Sequence, residues 1–152
     1  MSFKKLTWGV KASFRGYVEA AGGTIKVSDG ASQNDEGAIV FTAMPGGDLN
    51  IAMDGTATGA MRFQGSVNFQ AHGGMLNSTL AEIGVEAEDG ELFITVLEAP
   101  MNEGRCAVAK LTLLEAGDDG AVCLKSEITM DGMYQIADNY PPGTELDPVT
   151  LA

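Results

Sequence analysis

Leu6-Thr7-Trp8-Gly9-Val10-Lys11-Ala12-Ser13-Phe14-Arg15-Gly16-Tyr17-Val18 fits two secondary structures at once. The even positions Leu6, Trp8, Val10, Ala12, Phe14, Gly16 and Val18 are all apolar or small, the alternation of a strand. Leu6, Val10, Phe14 and Val18 also recur every fourth residue, the stripe of a helix. The stretch holds the chain's only tryptophan and places a tyrosine close to an arginine. As a helix it gathers Phe14, Tyr17 and Val18 on one face, with a phenol pointing into whatever that face covers. As a single strand it turns Tyr17 away from Phe14 and Val18.

Outward from this stretch, the chain is punctuated by turn signals. Its 20 glycines and regularly spaced breaks predict mostly β structure. Ala21-Gly22-Gly23 leads into a short strand, Thr24-Ile25-Lys26-Val27, which stops at Ser28-Asp29-Gly30. Residues 31–37 are polar and read as a loop. Residues 39–41 and 49–53 are further strands, closed by Pro45-Gly46-Gly47 and Asp54-Gly55. The clearest alternation runs over residues 61–69, with Met61, Phe63, Val67 and Phe69 on one face and Arg62, Gln64, Ser66 and Asn68 on the other. Gly65 interrupts the apolar row and signals a bulge or close packing. Strands are also predicted over residues 76–86, 91–97, 107–115 and 121–128, with Asp89-Gly90 and Asp118-Asp119-Gly120 as hairpin turns between them. Residues 133–139 suit one helical turn or two, ended by Pro141-Pro142-Gly143. Pro148-Val149-Thr150-Leu151 reads as a last edge strand. The expected fold is mainly β: an antiparallel β-sandwich of two sheets with one or two short helices at its rim, one domain over residues 1–152.

The totals narrow the function. A chain of 152 residues, 45% of them hydrophobic, can build a real core. Aspartate and glutamate number 21 against 9 lysines and arginines, for a formal net charge of −12. Such a surface repels phosphate backbones and anionic lipid, which argues against nucleic acid and membrane-surface partners. No apolar run is long enough to span a bilayer. Met1-Ser2-Phe3-Lys4-Lys5 is followed by no apolar h-region or small-residue cleavage site. The expectation is a cytoplasmic protein or a mature domain cut from something longer. Cys106 and Cys123 lack CxxC spacing, which argues against a zinc ribbon or a redox centre. With Asp118-Asp119 at a hairpin tip, Cys123 faces Leu114 and not Cys106, so buried free thiols are expected.

Each candidate for chemistry also has a plainer account. His72, the only histidine, follows the clearest strand in Ala71-His72-Gly73-Gly74, at the parity opposite Phe69. It is expected at the mouth of the sandwich, and alone it reads as a solvated loop residue. One histidine excludes a multi-histidine metal site, and no GxSxG elbow supports a Ser-His-Asp triad. The acidic runs Asn34-Asp35-Glu36, 86–91 and Asp118-Asp119 lack the ligand spacing of an EF-hand loop and read as solvated surface. Carboxylate pairs for glycoside hydrolysis leave no spacing signature when they come from different strands. The eight methionines fall mostly at apolar parity, and core filling explains them better than haem or copper ligation. Asn77-Ser78-Thr79 is a weak match to the glycosylation sequon. Tyr17 alone would be a half-buried tyrosine with its hydroxyl in water.

Four pieces in order change that weighting. They are the opening stretch, then Gly23-Thr24-Ile25-Lys26-Val27-Ser28-Asp29-Gly30-Ala31, then Phe63-Gln64-Gly65-Ser66-Val67-Asn68-Phe69-Gln70-Ala71-His72-Gly73-Gly74, then Tyr140-Pro141-Pro142-Gly143-Thr144-Glu145-Leu146-Asp147-Pro148-Val149. Together they resemble HtaA-type domains, the haem-binding modules of corynebacterial and related actinobacterial haem-uptake proteins. The likeness spans essentially the whole chain. It implies a β-rich domain that binds ferric haem b through a tyrosine on a short N-terminal helix, which here makes Tyr17 the metal ligand. The family's histidine falls on His72 and a later tyrosine on Tyr140. Residues 134–139 have no close counterpart, so either Tyr134 or Tyr140 faces the ligand. The resemblance also divides the opening stretch into strand over 6–9 and helix over 10–19. Family proteins are exported and tethered to the cell envelope, which implies an extracytoplasmic or cell-surface location, although this chain shows neither export signal nor anchor.

The chemistry suits these residue types. Haem iron accepts a tyrosine oxygen. A free phenol ionises only near pH ~10, so it needs help. Ferric iron supplies most of that help, and a hydrogen bond to the phenolate supplies more; His72 is the first candidate donor and Arg15 the second. Hard anionic oxygen favours ferric over ferrous iron. Such a site suits holding oxidised haem and passing it on in uptake or trafficking. A porphyrin needs apolar walls, for which Phe14, Val18 and Trp8 are local candidates. Its propionates need cations or hydroxyls, for which Ser28, Lys11 and Arg15 are candidates. The partners implied are haem and other haem-transfer proteins, with a homodimer around the ligand left open. The alternative is a non-haem β-sandwich binding module for carbohydrate or a protein partner. An enzyme comes third, since one histidine and no nucleophile motif assemble no catalytic constellation.

Overall fold

The computed structural model describes residues 3–98, 104–137 and 139–152. The chain opens with β1 (Lys5–Trp8) and α1 (Ala12–Ala20). There follow β2 (Thr24–Ser28), β3 (Ser32–Gln33) and β4 (Ile39–Ala43). The two-residue strands β5 (Asn50–Ile51) and β6 (Ala57–Thr58) pair only with each other. Next come β7 (Ala60–Gln64), β8 (Ser66–Ala71), a 3₁₀ turn at His72–Gly74, and β9 (Leu76–Ala81). The chain continues through β10 (Gly84–Glu88), β11 (Glu91–Leu97), β12 (Arg105–Ala116) and β13 (Val122–Ile128). Helix α2 (Met130–Gln135) and β14 (Glu145–Leu151) complete it.

Eight strands close into a barrel in the order β1-β14-β13-β12-β11-β10-β7-β4, and β1 pairs back onto β4. The protein is mainly β with two short helices, but the expected two-sheet sandwich is replaced by this antiparallel barrel. Closure rests on β1, where Leu6 pairs with Leu151 on one side and Phe41 on the other. Inward and outward residues alternate in the same way in a sandwich and a barrel, so local periodicity does not tell them apart. A pairing between the two ends of the chain does. Strand β14 lies between β13 and β1, so residues 148–151 form no edge. An eight-stranded barrel encloses just enough room for side chains. Here Leu6, Trp8, Phe41, Phe63, Ile94 and Val149 are all at most 1% exposed. The interior is packed with the chain's own side chains.

The expected strand over 61–69 belongs to two sheets. Gly65 has φ +117°, and a Cβ there would sit 2.5 Å from the Cβ of Ala31. Only glycine fits such a corner. Before it, the chain is barrel wall; after it, the chain enters a small sheet of order β2-β8-β9. The strand expected over 76–86 is likewise divided, at Glu82 (φ 50°), where the chain returns to the barrel. At Asp89-Gly90 both residues have positive φ and join β10 to β11 as the predicted tight hairpin.

The opening stretch divides as the family resemblance implies. Strand gives way to helix at Gly9 and Val10. A Cβ on Gly9 would lie 2.3 Å from Arg15 Nη1. Val10 has φ 63°, a strained value for a β-branched residue. Its burial and a 2.8 Å hydrogen bond from the Asp147 amide to its carbonyl hold it there. Helix α1 then lies on the small sheet, with Phe14 meeting Phe69 edge to face at 5.0 Å.

Three smaller expectations are corrected. A bulge at Leu114 sets Cys123 opposite Glu115, and both cysteines are half-buried free thiols. Met61 is in the core, but Met44, Met53, Met75 and Met130 are exposed, so core filling does not account for the methionines; Met1 and Met101 lie outside the described residues. The C-terminal helix starts three residues earlier than expected, at Met130, because Thr129 caps it.

Candidate functional site

Tyr17 and His72, 55 positions apart, meet at the surface. Tyr17 Oη lies 2.5 Å from His72 Nε2, and their ring centroids are 5.6 Å apart. Two local features bring them together. Phe14 and Val18 are buried beneath α1, and the Gly23 amide donates to the Val18 carbonyl at 2.8 Å. Gly23 is packed so tightly that a Cβ would lie 2.1 Å from the Gln70 carbonyl oxygen, which seats the end of α1 against β8. At the end of β8, His72, Gly73 and Gly74 all have positive φ, and this turn carries the imidazole to Tyr17. The phenol is 48% exposed. A neutral imidazole nitrogen accepts the phenol proton's hydrogen bond; in the other tautomer, or protonated, it donates to a phenolate.

Tyr17 is one wall of a groove of about 550 Å³. Helix α1 rests on β2 and β8, and α2 rests on β12, β13 and β9, so the start of β9 floors the space between them. The other lining side chains are Met75, Leu76, Met133, Tyr134, Ile136 and Ala137, with the polar Asn77, Ser78 and Asn139, and the exposed lining is more polar than apolar. Ser78 is satisfied by donating to the Ile136 carbonyl. Met75 is 91% exposed and Tyr134 71%, so the groove has an apolar rim open to water. Among the described residues, no group of three or more His, Cys, Asp or Glu side chains is placed to hold a bare metal ion.

The other sequence candidates are distributed differently. Of the two later tyrosines, Tyr134 lines the groove. Tyr140 packs edge-on against Phe14 at 6.3 Å, with Lys11 Nζ 5.9 Å from its ring centroid. Phe14 and Val18 anchor α1 in the core and Trp8 is buried in the barrel, so none of the three walls the groove. Arg15 is not available to Tyr17. Its Nη1 donates to the Gly9 carbonyl at 2.6 Å and to Asp147 Oδ2 at 2.8 Å. Lys11 Nζ donates to the Glu145 carbonyl at 2.7 Å. Ser28 hydrogen-bonds Ser66 Oγ at 2.6 Å, at the end of the small sheet away from His72. The residues that sequence reasoning passed over are Met75 and Met133. Met75 follows His72 by three residues in a glycine turn, which was the one local sign that it stood outside the core.

The family model for HtaA, described as Htaa, matches residues 4–152. No curated protein matches the chain. Among solved structures, the C-terminal domain of HtaA from Corynebacterium glutamicum is 28% identical, with a TM-score of 0.75 over 98% of this chain and 95% of that one. The N-terminal domain of the same protein is 24% identical, with a TM-score of 0.76 over 99% and 97%. The haem-binding protein HtaB of C. glutamicum is 18% identical, with a TM-score of 0.68 over 98% and 91%. The last two likenesses concern the fold alone.

Proposed function

The chain belongs to the HtaA family, and we propose that residues 1–152 form one domain that binds ferric haem b in the groove between α1 and α2 and passes it on during haem uptake or trafficking. Tyr17 is the iron ligand in this proposal, and His72 is the hydrogen-bond partner of its oxygen. The observation that carries it is the 2.5 Å contact of a surface phenol with the only imidazole, the phenol itself lining the groove.

The residues fit the group. A groove of this size is within the usual range for small-molecule sites. A flat apolar ligand would cover Met75 and Tyr134, which otherwise form an exposed apolar patch. Bound haem supplies the ferric iron that favours an ionised phenol. The rest falls to the chain's own side chains. His72 Nε2 takes the Tyr17 proton, or relays it to water, and then donates to the phenolate oxygen. Tyr134, Met133 and Leu76 exclude water from one side. Phe14 and Val18 fix the helix that aims the phenol, and Arg15 contributes by tying that helix to β14 through Asp147.

Hemin titration followed by absorption tests the assignment. The wild type should take up one equivalent and show a Soret band with the charge-transfer absorption of high-spin ferric haem. Tyr17→Ala should abolish that spectrum, and His72→Ala should weaken binding. An unchanged spectrum in Tyr17→Ala would overturn the ligand assignment. A wild type that takes up no stoichiometric hemin would favour the non-haem binding module.

A further inference from the structure

Two methionines, Met75 and Met133, line the groove. Met133 is half-buried in the middle of α2, between the exposed Met130 and Tyr134. Helix α2 has only six residues, far too few to hold itself together in water, yet it is fastened at both ends. Thr129 Oγ1 accepts from the Gly132 amide at 3.0 Å and donates to the Ala107 carbonyl at 2.5 Å. Gly132 lies so close to β12 that a Cβ would fall 2.1 Å from the Val108 carbonyl oxygen. At the far end, the Ser78 hydroxyl of β9 donates to the Ile136 carbonyl. These anchors hold Met133 one residue beyond a fixed glycine, in the lining of the groove that Tyr17 also lines. Met75 lines the same groove but is 91% exposed beside a glycine turn, with no comparable support.

Resting on the haem-binding proposal, we propose that the Met133 thioether is the ligand that takes the iron when the bound haem is reduced. The groove then offers two ligands of opposite character. Tyr17 presents a hard anionic oxygen, which prefers ferric iron; Met133 presents a soft neutral sulfur, which prefers ferrous iron. An unbranched thioether has the reach to move onto the metal from a fixed backbone. The step balances with one external one-electron donor. The donor's electron reduces ferric to ferrous iron, and the bond from Tyr17 oxygen to iron breaks. The phenolate takes a proton from His72 Nε2, which is replenished from water, and a bond from Met133 sulfur to iron forms.

The test uses hemin-loaded wild type, Met133→Leu and Met75→Leu, each ferric and then reduced anaerobically with dithionite. X-ray absorption at the iron edge reads whether sulfur is bound. The ferric visible spectrum of the wild type tests the underlying haem proposal; the iron-edge spectra of the reduced samples test this one. Ferrous wild type and Met75→Leu should show a sulfur neighbour that ferric protein lacks, and Met133→Leu should lose it. Leucine keeps the apolar wall, and unchanged thermal melting of the apoprotein would show that the fold survives. Sulfur bound in both oxidation states, sulfur bound in neither, or ferrous sulfur that persists in Met133→Leu overturns the assignment.

Discussion

The barrel and the small sheet beside it are built from the same alternating strands, but they do different work. The barrel has no free edge among its eight strands, and its interior is full. The small sheet has three strands, a glycine turn at one end, and exposed Tyr17, Met75 and Tyr134 around that end. One continuous run of sequence, residues 61–69, passes from the first into the second at Gly65. The barrel interior leaves no room for a ligand, and the groove lies outside it, beside the small sheet. Binding and folding should respond to different substitutions.

The largest effect should come from the barrel. Phe63→Ala empties a buried position at 1% exposure and should cost about 3–5 kcal/mol, read by denaturant unfolding. If it left stability intact while abolishing hemin uptake, the division between the two regions would fail. Gly65→Ala should follow, at about 1–3 kcal/mol. It forces a side chain into the corner between the sheets, so it should lower stability and hemin affinity together. Asp147→Ala leaves the Arg15 guanidinium, 13% exposed, without its carboxylate. It should cost about 2 kcal/mol and weaken hemin binding by loosening α1, while Tyr17 itself remains. Tyr17→Phe is the converse. It should change stability by less than about 0.5 kcal/mol and remove the ferric charge-transfer absorption.

The smallest effect belongs to Cys106. Burial, with Asp131 and Glu98 adding to it and Arg105 opposing, pushes this thiol up to about 11 from an ordinary value of 9.0. The folded state therefore favours the protonated thiol. That preference stabilises the fold below the ordinary thiol range and is lost as pH rises from there through the raised value. At pH 8 the folded protein should alkylate slowly at Cys106, and the unfolded protein quickly, as read by mass spectrometry.

The parts of this design that were legible in sequence are those fixed locally. Asp89-Gly90 announced its hairpin because only a few residues tolerate positive φ. The alternation at residues 61–69 showed a strand, and Gly65 marked where something happened to it. The pairing of Tyr17 with His72 emerged only through the family resemblance, because periodicity links no two residues 55 apart. Barrel closure was invisible for the same reason: Leu6 pairs with Leu151 through a contact that no local pattern encodes. Met133 was hidden differently. A methionine in an apolar segment looks the same whether it fills a core or lines a groove, and only the anchoring of α2 separates the two.

Asp147 gives the site a place in time. Its amide reaches the Val10 carbonyl, and its carboxylate holds the Ala12 amide at 3.0 Å and Arg15 at 2.8 Å. All three contacts fasten the helix that carries Tyr17, and all come from β14, which follows both Tyr17 and His72 in the chain. Contacts over so long a stretch of chain are slow to form. A nascent chain that already contains Tyr17 and His72 thus lacks the clamp that aims the phenol. The barrel's final seam and the clamp on the helix that carries Tyr17 should therefore form in one event.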